Sequence, residues 1–219
     1  MNLGDVRTRV KRQFGDESQV QINDSDITRW ANDAQRFIVM QSEGLLQKSA
    51  TADLVASQQE YSVPSDLLIL RSISTRLTTS TPYFPLIGLS PQEFDQKIGD
   101  WEGGSGVNSG YAGYYHIYGA LIKLWPIPVA SLTAGLKIYY SRLPTDVAVD
   151  ADVLDLPITY HSAVVNYCLQ QAYELDDASW DAAKVKSDQV LTDIHFNKGR
   201  ENRSPSGTYG RITVLPEDM

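Results

Sequence analysis

Apolar residues recur every three to four positions at both ends of the chain and every second position through its middle. Leu3, Val6, Val10 and Phe14 trace one face of a short helix that Gly15 ends, with Arg7, Arg9, Lys11 and Arg12 on the other face. Ile27, Trp30, Ala31, Ala34, Phe37 and Ile38 keep the helical period; Asn23 and Asp26 supply a cap before them and Gly44 a stop behind. The period returns at Tyr160, Val164, Tyr167, Cys168, Gln171, Ala172 and Leu175. Asp177 then caps a further helix carrying Trp180, Ala183, Leu191 and Ile194, which makes a helical hairpin. Trp30, Phe37, Tyr167 and Trp180 are too large for single helices to cover, so the two ends are predicted to close one bundle.

Between them the pattern reads as strands. Residues 52–56 and 59–63 flank Ser57 and Gln58 as a hairpin; 67–77 and Phe84 to Leu89 follow as strands. Ser90-Pro91-Gln92-Glu93 has the residues of a capping box with proline at the first helical position, opening a short helix to Ile98 that Gly99 stops. A glycine-rich loop covers 102–113, and strands Tyr114 to Tyr118 and Leu121 to Trp125 are joined at Gly119-Ala120. A last strand runs from Leu136 to Arg142. The predicted fold class is α+β: a small helical bundle formed by the N- and C-terminal helices, an inserted antiparallel β region and an extended C-terminal tail. The divisions fall at 1–50, 51–142, 143–198 and 199–219.

Composition narrows the function classes. With 219 residues, 42% hydrophobic and 21% charged, the chain can bury a core without metals or crosslinks. Cys168 stands alone, so no internal disulfide is expected. The amino terminus is polar, and no run of apolar residues is long enough to span a bilayer, so no membrane association is expected. The net charge of −8 argues against general affinity for nucleic acid. That charge is concentrated: residues 143–188 hold 2 basic and 9 acidic side chains, whereas the rest of the chain is nearly balanced. A solvated acidic surface is one reading, and a negative face turned toward something is the other. The basic face of the first helix has the same two readings, solvent or an acidic partner.

No constellation for catalysis emerges. The glycine loop lacks the Gly-Lys-Ser/Thr of a phosphate cradle, and Gly104-Ser105-Gly106-Val107-Asn108-Ser109 lacks the third glycine of a dinucleotide fingerprint. His116, His161 and His195 lie in separate elements and read as structural. Asp150, Asp152 and Asp155 lack the glycine and terminal glutamate of a calcium loop. Cys168 sits on an apolar stripe, where a thiol is inert. No catalytic, cofactor-binding or metal-ligating residues are therefore assigned, and no cofactor is expected. The aromatics Tyr83, Phe84, Phe94, Trp101, Tyr111, Tyr114, Tyr115, Tyr118, Trp125, Tyr139 and Tyr140 suit sheet packing better than a sugar platform.

Several segments resemble the head-to-tail connector (adaptor) proteins of tailed bacteriophages. They are Asp26-Ile27-Thr28-Arg29-Trp30-Ala31-Asn32-Asp33-Ala34-Gln35, Glu60-Tyr61-Ser62-Val63-Pro64-Ser65-Asp66-Leu67, Tyr115-His116-Ile117-Tyr118-Gly119 running to Leu124-Trp125-Pro126-Ile127-Pro128, and Tyr139-Tyr140 before Leu156-Pro157. The resemblance spans most of residues 1–195 and implies a structural, non-enzymatic role in the virion neck, with assembly in the host cytoplasm. It implies a homo-oligomeric ring, commonly of 12 copies, between the portal protein and a tail or nozzle protein, with double-stranded DNA passing through the lumen unbound. It further implies a carboxy-terminal grip on the portal, for which the alternating Arg211, Ile212, Thr213, Val214 and Leu215 are the docking residues. An acidic lumen would repel passing DNA, which makes Asp146, Asp150, Asp152 and Asp155 channel-lining candidates. Another neck or tail-completion protein and a carbohydrate-binding module of a phage fibre remain open, and a hydrolase comes last.

Overall fold

The computed structural model describes residues 1–18, 20–42, 45–98, 112–175 and 180–201. Gly44, Gly99, Trp101, residues 102–111 of the glycine loop, Asp177, the side chain of Trp180 and the segment Arg211 to Leu215 lie outside the described residues. The fold is α+β, and the chain divides into two units: Met1–Leu45 together with the chain from Pro144 onward, and Leu46–Leu143.

The first unit is helical. Helix α1 (Leu3–Phe14) opens on a reciprocal cap, in which the Asp5 N–H donates to Asn2 Oδ1 (2.8 Å) and the Asn2 N–H to Asp5 Oδ2 (3.2 Å). It closes at Gly15, whose φ of 90° needs the missing Cβ and whose N–H donates to the Lys11 carbonyl. Helix α2 (Asp24–Ser42) is capped by Asn23, whose Oδ1 accepts the Asp26 N–H at 2.9 Å. A 3-10 turn (Ile158–Tyr160) leads into α4 (His161–Glu174), and α5 (Trp180–Glu201) follows; α3 (Pro91–Ile98) belongs to the other unit. Leu3, Val6, Val10, Ile27, Ala34, Ile38, Tyr160, Val164, Cys168 and Ile194 are fully buried, Trp30 nearly so. Phe14 stacks at a tilt on Tyr173 (5.3 Å between centroids) and Phe37 on Tyr167 (5.7 Å), so the helices of the two chain ends cover each other's aromatics. One stripe position shifts: Val190 is buried and Leu191 is 38% exposed. Ala183, Val190 and Ile194 fall on one face at steps of seven and four, and residue 191 lies about 100° round from it.

Among the described residues the second unit is two four-stranded sheets, of order β1-β8-β3-β4 and β2-β7-β6-β5. Strands β1 (Gln47–Leu54) and β2 (Glu60–Ser62) are not the hairpin predicted over 52–63. The first pairs antiparallel with β8 (Leu132–Arg142), the second with β7 (Leu121–Trp125), so the intervening turn crosses between sheets. The Tyr61 hydroxyl explains the crossing: it accepts the Val55 N–H and donates to the Gln58 carbonyl, both at 3.1 Å, and Ser57 takes a φ of 63°. The single strand predicted over Phe84 to Leu89 is likewise two, β4 (Phe84–Pro85) on β3 (Leu67–Thr75) and β5 (Ile87–Gly88) on β6 (Tyr114–Tyr118). Leu86 between them is buried and its N–H donates to the Ile73 carbonyl. The β5–β6 pairing is parallel, and the other strand pairs among the described residues are antiparallel, as the expected antiparallel β region requires. The β6–β7 hairpin forms as read, turning at Gly119 with φ 59°.

Ile73, Ile122, Leu124, Leu136, Ile138, Tyr140 and Tyr61 fill the core of this unit. Helix α3 (Pro91–Ile98) is opened by the expected box, Glu93 Oε2 accepting the Ser90 N–H at 2.8 Å and Ser90 Oγ the Glu93 N–H at 3.3 Å. It sets Phe94 against Leu89 and Trp125.

Candidate assembly surfaces

The four channel-lining candidates lie on one loop of the helical unit, and each has a local task. Asp146 takes two bonds from Arg36 Nη2 (2.7 and 2.8 Å). Asp150 pairs with Arg7 Nη1. Asp152 Oδ2 accepts the N–H groups of Ala148 (2.7 Å) and Val149 (2.9 Å), closing a tight turn, and Asp155 Oδ2 accepts that of Thr145 (2.8 Å). The bonds from Val149 and Ala148 hold the Asp152 carboxyl below its ordinary range. Its charge is therefore fixed in place at neutral pH.

Two polar residues that the sequence reading passed over dock this loop on α2. Asn32 exchanges a reciprocal pair of bonds with the Val147 backbone (2.8 and 3.0 Å), and the buried Gln35 accepts the Asp155 N–H at 2.8 Å. Gln35 was findable as the polar residue beside Ala34 on the apolar stripe, since a buried amide must find partners. The chain start docks too: the Leu3 N–H donates to Asp152 O and the Gly4 N–H to Asp150 O. A Cβ on Gly4 would lie 3.2 Å from that of Asp150, so the close approach favours glycine.

The basic face of α1 is not turned wholly to solvent or to a partner. Arg7 reaches Asp150, Asp24 and the Thr28 hydroxyl, and Lys11 reaches Asp24. Arg7, Lys11, Asp24 and Asp150 line an open groove of about 530 Å³ with Asn2 and Gly4. Asp16 beyond the helix accepts the N–H groups of Ile22, Val20 and Gln21, which hold its carboxyl low and order the link to α2.

Cys168, His161 and His116 are packed into the fold. Burial pushes the Cys168 thiol up from its ordinary range. Burial also lowers His161, whose Nε2 lies 3.0 Å from the Leu156 carbonyl. His116 is buried beside Phe94.

In the β unit, Trp125 is 8% exposed and packed in the core, and Phe94 and Tyr140 are buried, so these rings are not available as a sugar platform. The aromatics that remain accessible on β8 and near it hold cations: Lys137 Nζ lies over the rings of Tyr139 (4.7 Å) and Tyr83 (5.3 Å), with Arg76 over Tyr83. Near the start of β1 and β3, Lys48 Nζ, Asp66 and the Tyr140 hydroxyl form a network with both bonds at 2.7 Å. Lys48 and Tyr140 hold the Asp66 carboxyl low.

Among the described residues no helix is long and apolar enough to cross a membrane. No curated protein matches the chain. The family model described as SU10 adaptor protein matches residues 1–207, a span that takes in every helix and strand among the described residues. By that match the chain belongs to the SU10 adaptor protein family and is a phage adaptor, a structural protein of the virion.

Proposed function

We propose that the chain is a head-to-tail adaptor whose copies form a ring, of about twelve by the likeness to connector proteins, beneath the portal. The ring extends the DNA channel and offers the tail or nozzle protein its platform. The observation that carries this reading is the family match over residues 1–207. The two units supply the chemistry a ring needs, because a closed head-to-tail assembly requires two different surfaces on each copy, one helical and one β.

In this reading the loop bearing Asp146, Asp150, Asp152 and Asp155 faces the lumen. Contacts with Arg36, Arg7, Asn32 and Gln35 hold this loop and its carboxylates in place. A net negative wall lets a polyanion pass without being held. The decisive test is electron microscopy of this protein mixed with the portal protein of the same virus. A ring seated beneath the portal is expected, and a protein that stays apart from the portal overturns the reading. Virions carrying Asp150→Lys are expected to eject DNA more slowly; unchanged ejection removes the lumen assignment alone.

A further inference from the structure

The two sheets have four edges, and three are short: β4 and β5 are two residues long and β2 is three. The fourth is β1, eight residues long. Among the described residues, the backbone groups of 47–53 have no hydrogen-bond partner beyond the ladder with β8. An open edge of this length is a template for another strand unless proline, inward charge or a bulge guards it. Lys48 near one end and the irregularity between Ala52 and Leu54 near the other are such guards, but Ser49 to Ala52 has none.

The side chains of β1 state what would cover it. Gln47, Ser49, Thr51 and Asp53 form a polar outer row, while Ala50 and Ala52, on the side of buried Leu54, pack only partly buried on the core. An incoming strand must therefore place apolar side chains beside two alanines and polar ones beside Thr51 and Asp53. The chain carries a segment of that pattern. Arg211-Ile212-Thr213-Val214-Leu215 is alternating and rich in β-branched residues, and nine residues separate it from Glu201, the end of α5. A tether of that length reaches up to roughly 30 Å.

Set antiparallel to β1, this segment puts Arg211 opposite Asp53, Ile212 opposite Ala52, Thr213 opposite Thr51, Val214 opposite Ala50 and Leu215 opposite Ser49. Charge meets opposite charge, hydroxyl meets hydroxyl and both branched aliphatics extend the core row. A slip of one residue would turn Ile212 and Val214 to the polar row, and the parallel arrangement would set Leu215 against Asp53. We propose that the β1 edge accepts residues 211–215 of a neighbouring copy as an added antiparallel strand. The choice of a neighbouring copy rests on the ring reading above: each copy gives one strand and takes one, which is a head-to-tail contact that closes into a ring.

The test is disulfide trapping in the full chain carrying Thr51→Cys and Thr213→Cys, assembled on the portal and mildly oxidised. The only native cysteine, Cys168, is buried and does not compete. Expected is a ladder of covalent multimers on a non-reducing gel, lost when Ile212→Cys replaces Thr213→Cys because that side chain lies on the opposite face. A crosslink confined to single chains overturns the proposal, as does an equal yield from positions 212 and 213. Capture of the thiol introduced at position 213 only by the portal overturns it in favour of the portal grip that the family likeness implies. Rings seen by microscopy without the ladder sink the strand addition alone, whereas absence of rings on the portal sinks the adaptor reading itself.

Discussion

The helical and β units differ most in how they use charge. The helical unit, from Met1 to Leu45 and from Pro144 onward, has 12 basic and 20 acidic residues and so carries the whole excess of −8. The β unit has seven of each. In the helical unit carboxylates build loops: Asp16, Asp152 and Asp155 gather backbone N–H groups that would otherwise be unpaired. In the β unit they tie off the ends of sheets, as Asp66 does with Lys48, Glu60 with Lys123, and Asp53 with the Ala134 N–H. A strongly negative unit paired with a neutral one gives a single chain two surfaces that partners can tell apart.

That division can be broken most directly in the cores. Trp30→Ala should cost about 3–5 kcal/mol and Ile138→Ala about 2–5 kcal/mol, each from a nearly or fully buried site. Calorimetry should show Trp30→Ala lowering a helical-unit transition and Ile138→Ala a β-unit one; both variants moving one shared transition would mean a single cooperative block. Cys168 offers a second readout, since its thiol should react with a chromogenic disulfide faster in Trp30→Ala and at an unchanged rate in Ile138→Ala.

A smaller effect sharpens the contrast in polar chemistry. Asp66→Asn should cost about 1 kcal/mol at pH 7, given partial solvent screening of the pair. The folded carboxyl is held below its unfolded value, so its contribution is fully present above the unfolded value and disappears as pH falls through the folded one. The gap between wild type and variant in urea midpoints should therefore close below about pH 4. Smallest is Arg36→Ala, which breaks the half-exposed pair with Asp146. It should cost about 0.5 kcal/mol and diminish in 1 M salt, and a loss several times larger would show that the acidic loop depends on its cations more than on Asn32 and Gln35.

The helical unit was largely legible because helical order is local. Stripes such as Leu3-Val6-Val10, the Gly15 stop and the Asn23 cap announce themselves within a few residues. The Ser90 box and the Gly119 turn were legible for the same reason. Strand partners were not. Alternation says which side chains face inward but not which sheet a strand joins, so β1 and β2, and β4 and β5, read as continuous neighbours although each pair is split between sheets. The acidic loop failed differently: its residues were visible, but Arg7 and Arg36 stand 143 and 110 positions away from Asp150 and Asp146, and only the fold brings them together.

The order in which the units are spelled out along the chain has a consequence for biogenesis. The β unit is uninterrupted, so a ribosome releases all of it before α4 and α5 exist. Until then α1 and α2 lack the two helices they pack against in the finished unit. A prematurely terminated polypeptide thus lacks a closed helical unit and is left with sticky apolar surface for chaperones or proteases to find.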